Sequence, residues 1–379
     1  MKKTIAFFLA LCLLFAFTGC AKKTVPGSVD AEPTTDALTA DEITVVDHLG
    51  REVTVPADIQ RIAVVGILPL PSVLTVFFNS AEKLVSIPKA SMSAARNGLL
   101  GKLYPEILDV DTNDEDINAE ELATKTPDVV FCNEANAELG ERLTNAGFSV
   151  VMISVNKWGY NCIETLNHWI DLISQMFPAD AKADIVRARS EQMYELVQSR
   201  VSGIADADKA RMFVLFRYDE NGIFSSGKNF FGQWWCDAVG AVNVAEEIEK
   251  DNAVPVNMEQ VYAWNPDTMI ITNFTPAQPE DILNNTIGNY DWSTVTAAQN
   301  GRIFKMPLGM YRSYTPGADT PVTLLWLAKS VYPDLFADID VTAEAKSYYQ
   351  DVFGVELSDE DIASIFTPTA AAAAAAGAR

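Results

Sequence analysis

Short apolar runs at 62–65, 84–87, 129–131, 149–153, 212–216, 268–271 and 302–306 alternate with longer stretches of helical spacing. Apolar runs of this length, bounded by turn residues and separated by helices, predict buried, largely parallel strands in α/β lobes. Two strand-like runs flank His48-Leu49-Gly50 and predict a hairpin near the start of the folded part. After a helix at 161–176 and a break at Phe177-Pro178, the run 179–202 has neither Gly nor Pro and places Ile185, Ala188, Met193, Leu196 and Val197 at helix-like spacing. At about 1.5 Å per residue it would reach roughly 35 Å, enough for one rigid helix to join two lobes. The stretch 320–331 predicts a core-facing helix.

A repeat supports two lobes of one plan. Asn118-Ala119-Glu120-Glu121-Leu122 precedes Pro127-Asp128, and Asn257-Met258-Glu259-Gln260-Val261 precedes Pro266-Asp267. In both copies the glutamate lies seven residues before the Pro-Asp pair, and the copies are 139 residues apart. Asn118 and Asn257 predict N-caps, with Glu121 and Gln260 completing capping boxes. Glu120 and Glu259 then occupy the second helical position, where the helix dipole favours a carboxylate. Two matched acids, one per lobe, imply a two-point contact with a cationic partner, although each could simply stabilise its own first turn.

The chain's start changes where this fold must work. Lys2 and Lys3, the apolar run 5–17 and Phe17-Thr18-Gly19-Cys20 predict a lipoprotein signal peptide over 1–19, with lipidation at Cys20. A polar tether follows at 20–42, then an N-terminal lobe at 43–178, the linking helix at 179–203, a C-terminal lobe at 204–366 and a disordered tail at 367–379, which includes an alanine run. The formal charge of −23, or −25 once Lys2 and Lys3 leave with the leader, argues against nucleic acid or an anionic lipid surface as partner. Of the five cysteines, Cys132, Cys162 and Cys236 remain in the folded part, compatible with one disulfide or with three buried thiols. Two histidines, His48 and His168, are too few for a histidine-rich site for a bare metal ion.

The opening 43–65, the paired Asn-x-Glu helix starts ahead of Pro-Asp strands and the lobe-linking helix together resemble the helical-backbone periplasmic binding proteins, the class III, cobalamin and ferric-siderophore type, over residues 43–340. The resemblance implies two Rossmann-like lobes with largely parallel sheets, joined by one long backbone helix, with a ligand cleft between them. It implies a monomeric, non-enzymatic, lipid-anchored extracytoplasmic receptor, needing no cofactor, that delivers a ferric siderophore or a related chelate such as haem or cobalamin to the permease and ATPase of an ABC importer. An oxyanion such as molybdate or tungstate is the alternative ligand. Glu120 and Glu259 match the family's permease-docking glutamates.

The cleft should be lined by loops that follow the strands. Those positions hold Arg217 and Tyr218 after 212–216, and Tyr311, Arg312 and Tyr314 after 302–306. On the N-terminal side they hold Pro69 and Leu70, Lys89, Ser91 and Met92, and Asn133 with Glu134. Arginine beside tyrosine suits an anionic, oxygen-rich ligand. Arg217 could instead pair with a surface acid, Tyr311 and Tyr314 could pack at a rim, and Trp234-Trp235 reads as helix-face core. A tethered hydrolase is an alternative class, but the chain has no Gly-x-Ser-x-Gly; a structural adhesin or stalk protein would show repeats of short period, whereas the repeat here is lobe-sized.

Overall fold

The computed structural model describes residues 41–114 and 117–377; the predicted leader, Cys20 and nearly all of the tether lie outside them. Two central sheets organise the molecule. The first is parallel, with strands in the order Asp111–Asn113, Leu84–Pro88, Ile62–Val65, Val129–Asn133, Val150–Ile153. The second is mixed: Arg211–Asp219, Thr268–Ile271 and Ile303–Lys305 run parallel, Val242–Asn243 pairs parallel with the start of Arg211–Asp219, and the antiparallel strands Gly222–Ser226 and Ala253–Val256 close the other edge. The hairpin Glu42–Val46 and Glu52–Pro56 forms a separate two-stranded sheet.

Strand alternation sends side chains to two covered faces of each sheet. Val64, Val129, Phe131, Val151 and Ile153 enter one apolar cluster, while Ala63, Val65, Val130, Cys132 and Met152 enter another. In the second sheet Met212, Val214 and Ile270 face one cluster, and Phe213, Leu215, Met269 and Ile271 face its opposite. Burial on both faces explains why the strands read as continuous apolar runs rather than alternating ones.

The linking helix runs Ala183–Val201, shorter than the predicted 179–203 because Pro178–Asp180 forms a 3₁₀ turn ahead of it. Its buried stripe is Val186, Ser190, Met193, Val197 and Val201, whereas Ile185 is exposed. Val186 and Met193 join the core around the first sheet, and Val197 and Val201 join that of the second. One helix therefore contributes to the cores of both lobes.

The C-terminal segment differs from the sequence expectation. Val341–Phe353 and Asp359–Phe366, expected within the C-terminal lobe, bury Tyr348, Tyr349, Val352, Ile362 and Ile365 in the cluster around the first sheet. Ala370–Gly377, expected to be disordered, is helical; Ala372 packs near Leu68, Ala94, Leu308 and Tyr311. Alanine has the highest helix propensity, and docking supplies the partner that an isolated eight-residue helix lacks.

Candidate functional site

The two copies of the repeat fold alike. Asp128 accepts hydrogen bonds from the backbone N–H groups of Gln60 and Arg61, both at 2.8 Å, and Asp267 accepts one from the N–H of Arg211 at 3.0 Å. The Arg61 guanidinium donates to the carbonyls of Lys125 and Thr126, and that of Arg211 to the carbonyl of Trp264. Each Pro-Asp corner thus pins the start of a neighbouring strand by the same contacts. Glu120 and Glu259 sit second in the helices Ala119–Ala123 and Met258–Trp264, and both are exposed. Asn118 and Asn257 cap these helices, but only Asn257 and Gln260 exchange both bonds of a capping box; Glu121 does not return the bond.

At the other ends of the strands, loops from both sheets meet at a cleft. From the first sheet come Gly66 and Leu68 after Ile62–Val65, Lys89 after Leu84–Pro88, and Asn113 and Asn133 at their own strand ends. From the second come Phe274, which follows Thr268–Ile271, and Tyr311 with Arg312, which follow Ile303–Lys305. The cleft holds two hollows of about 380 and 190 Å³ that share Gly66, Leu68 and Phe274. Such space suits a small ligand rather than a macromolecule.

The chemistry of the lining is apolar and aromatic with few charges. Arg312 is buried, with its guanidinium 4.4 Å above the Phe274 ring and 5.5 Å from Tyr311. Phe274 in turn stacks on Phe216 at 4.7 Å. Lys89 brings a second cation, paired with Asp114 at 2.7 Å. The Tyr311 hydroxyl is buried and has no hydrogen-bond partner among the described residues. Asn133 donates to the Gly66 carbonyl at 2.9 Å, and Gly66 adopts φ +71°, which favours glycine. Asp319 organises the opposite wall: its carboxylate accepts from the Met310 N–H at 3.0 Å and from the Tyr349 hydroxyl, so the loop carrying Tyr311 and Arg312 is tied to the C-terminal helices. Burial pushes the Asp319 carboxyl up to about 6.

Of the residues predicted for the cleft, Pro69, Lys89, Asn133, Tyr311 and Arg312 line it. The others are placed elsewhere. The strand expected to stop at 216 continues to Asp219, with a register shift between Leu215 and Arg217, because it pairs with Gly222–Ser226. Arg217 therefore lies on Phe224 at 3.8 Å, beside Asp219 at 3.6 Å, half exposed and outside the hollows. Tyr218 is core: its hydroxyl donates to the Ile287 carbonyl and accepts from the Trp292 indole. Tyr314 is also buried, donating to Ser226 Oγ at 2.8 Å. Leu70 is core, and Ser91 donates to the Leu68 carbonyl at 2.6 Å, shaping the wall without lining it. Trp235 is core as expected and donates to the Tyr314 carbonyl.

Phe274 and Asn113 were not among the sequence candidates. Asn273-Phe274-Thr275 begins two residues after the predicted strand 268–271, which was the available signal. Cys132, Cys162 and Cys236 are free and buried.

A model of a periplasmic binding protein family matches residues 88–308. The molybdate-binding protein MolA of Haemophilus influenzae is 25% identical over 347 residues, covering 86% of this chain and 94% of that protein. A periplasmic solute binding protein from Veillonella parvula superposes with a TM-score of 0.77 at 25% identity, covering 86% of this chain and 97% of the other. CeuE of Helicobacter pylori, in complex with nickel and histidine, shares the fold with a TM-score of 0.69 at 21% identity, over 86% and 99% of the two chains.

Proposed function

The chain belongs to the periplasmic binding protein family and is an extracytoplasmic substrate-binding protein of an ABC transporter, and we propose that its ligand is a small anionic metal species, best fitted by an oxyanion of the molybdate kind. The observation that carries this is Arg312, a guanidinium buried at a cleft wall in a chain otherwise rich in acids. A fixed charge in a site sheltered from water attracts an anion more strongly than one at the surface, and its donor fork matches paired oxygens. Lys89 stands across the cleft, already paired with Asp114 of the same hollow. The likeness to the molybdate-binding protein supports the same choice.

A metal chelate, such as a ferric siderophore or haem, is the second ligand considered, favoured by the aromatic lining of Phe231, Phe274 and Tyr311. Titration calorimetry with molybdate, tungstate, sulfate, a ferric catecholate, a ferric hydroxamate and haem separates the two. Saturable binding of molybdate or tungstate supports the oxyanion. Binding of a chelate alone replaces it.

Glu120 and Glu259 are proposed as the docking points for the permease, one on each lobe. Exposed carboxylates of this kind give orientation and selectivity more than affinity. Cys20 is proposed as the lipid anchor that keeps the receptor beside the importer.

A further inference from the structure

We propose that Lys305 is a positioning residue for the cleft: it fixes the 272–277 loop, and through Phe274 the guanidinium of Arg312, in the geometry that receives the ligand. The proposal rests on the cleft being the ligand site. Among the described residues Lys305 is the only lysine with a buried side chain. Its Nζ donates to three backbone carbonyls of one loop, those of Thr272 at 2.8 Å, Thr275 at 2.7 Å and Ala277 at 2.8 Å. Three donors on a compact ammonium meet three acceptors, so the loop closes around the charge. Asn273 stitches the same loop from the other side, donating from Nδ2 to the carbonyls of Met306 and Pro307, both at 2.8 Å. Thr272 and Thr275 complete the frame by donating to the carbonyls of Phe216 and Tyr218.

Within this frame Thr272, Asn273 and Thr275 are fully buried, and Phe274 emerges half exposed. It lines both hollows, rests on Phe216 and carries the Arg312 guanidinium on its ring. A displaced Phe274 would therefore move the main cation of the site. Burial pushes the Lys305 amine down to about 7, with the Asp281 carboxylate acting against that shift. A methionine would fill comparable space without that desolvation cost, so packing alone does not account for lysine here.

The test uses the full chain with Lys305→Met and Lys305→Gln, sodium molybdate as probe in calorimetry, and hydrogen–deuterium exchange read by mass spectrometry. Lys305→Met should weaken the molybdate Kd on the order of tenfold. It should also speed exchange at 272–277 and around Arg312, while the first sheet stays protected. Lys305→Gln, which restores a donor, should fall between it and the wild type, and it gives the same comparison if the methionine variant does not fold. The losses from Lys305→Met and Phe274→Ala should overlap rather than add, since both act through one ring. A folded variant with wild-type Kd overturns the proposal. If the wild type itself shows no affinity for molybdate, the ligand assignment falls and exchange alone decides: faster exchange at 272–277 supports positioning by Lys305, and unchanged exchange overturns it.

Discussion

Arg312→Met removes the charge on which the proposed ligand depends while keeping an unbranched side chain of similar length. The guanidinium is buried and lies 4.4 Å from Phe274. A charge-assisted contact to a bound anion contributes about 1.5–3 kcal/mol, which weakens Kd roughly 10- to 150-fold when lost. The cation–π contact with Phe274 contributes about 1–2 kcal/mol to the fold, and the methionine keeps apolar contact with the ring. Thermal stability should therefore change by only a few degrees while affinity falls by at least an order of magnitude. Arg217→Met is the matched control, because it removes the same charge from a half-exposed site on Phe224. Its molybdate Kd should stay within about twofold of wild type, since surface charges are screened over about 8–10 Å in physiological salt. Calorimetry at 0.15 M salt reads both variants. Equal weakening by the two substitutions would show that net charge rather than the cleft governs binding, and an unchanged Kd in Arg312→Met would refute the assignment outright.

The docking proposal predicts that Glu120→Gln with Glu259→Gln abolishes uptake in cells while molybdate affinity of the purified protein is unchanged; loss of binding in the double variant contradicts it. His48 is buried and its Nδ1 accepts from the Ser154 N–H at 3.0 Å, and burial pushes the ring down to about 4 from its ordinary 6.5. Because the folded state resists protonation, the unfolded chain binds more protons between those values, so this contribution is complete above pH 6.5 and is lost as pH falls toward 4. It is worth up to about 3 kcal/mol, and the fall in urea-unfolding stability from pH 7 to pH 4.5 should be steeper in wild type than in His48→Gln. Gly309→Ala places a Cβ against the Asp319 carboxylate; it should cost about 1–3 kcal/mol in denaturant unfolding and weaken molybdate binding as the Arg312 loop shifts.

Local patterns carried much of this architecture. Doubly buried strands announce themselves as apolar runs, and the Asn-x-Glu…Pro-Asp repeat placed Glu120 and Glu259 correctly because capping is a property of adjacent residues. The cleft was less legible. Arg217 and Tyr218 follow the last apolar residue of the run, but the strand persists because a hairpin partner at Gly222–Ser226 pairs with it, and pairing across a bulge is not visible in one run of sequence. Tyr311 and Arg312 follow the strand Ile303–Lys305, close to its predicted end at 306, and they line the cleft. Lys305 escaped notice because a lysine ending a strand ordinarily points to solvent; only the returning loop at 272–277 gives it three acceptors. The helices Val341–Phe353 and Asp359–Phe366 follow the second sheet in the chain but pack on the core of the first, because the lobe a terminal helix covers is set by tertiary packing.

Native mass spectrometry of the protein purified from its own host, as wild type and as Arg312→Met, addresses the central claim most directly. A bound anion should appear in the wild type with the mass of a metal oxyanion, and it should be absent from the variant. An adduct of chelate mass in the wild type, or an oxyanion retained in full by Arg312→Met, would contradict the account.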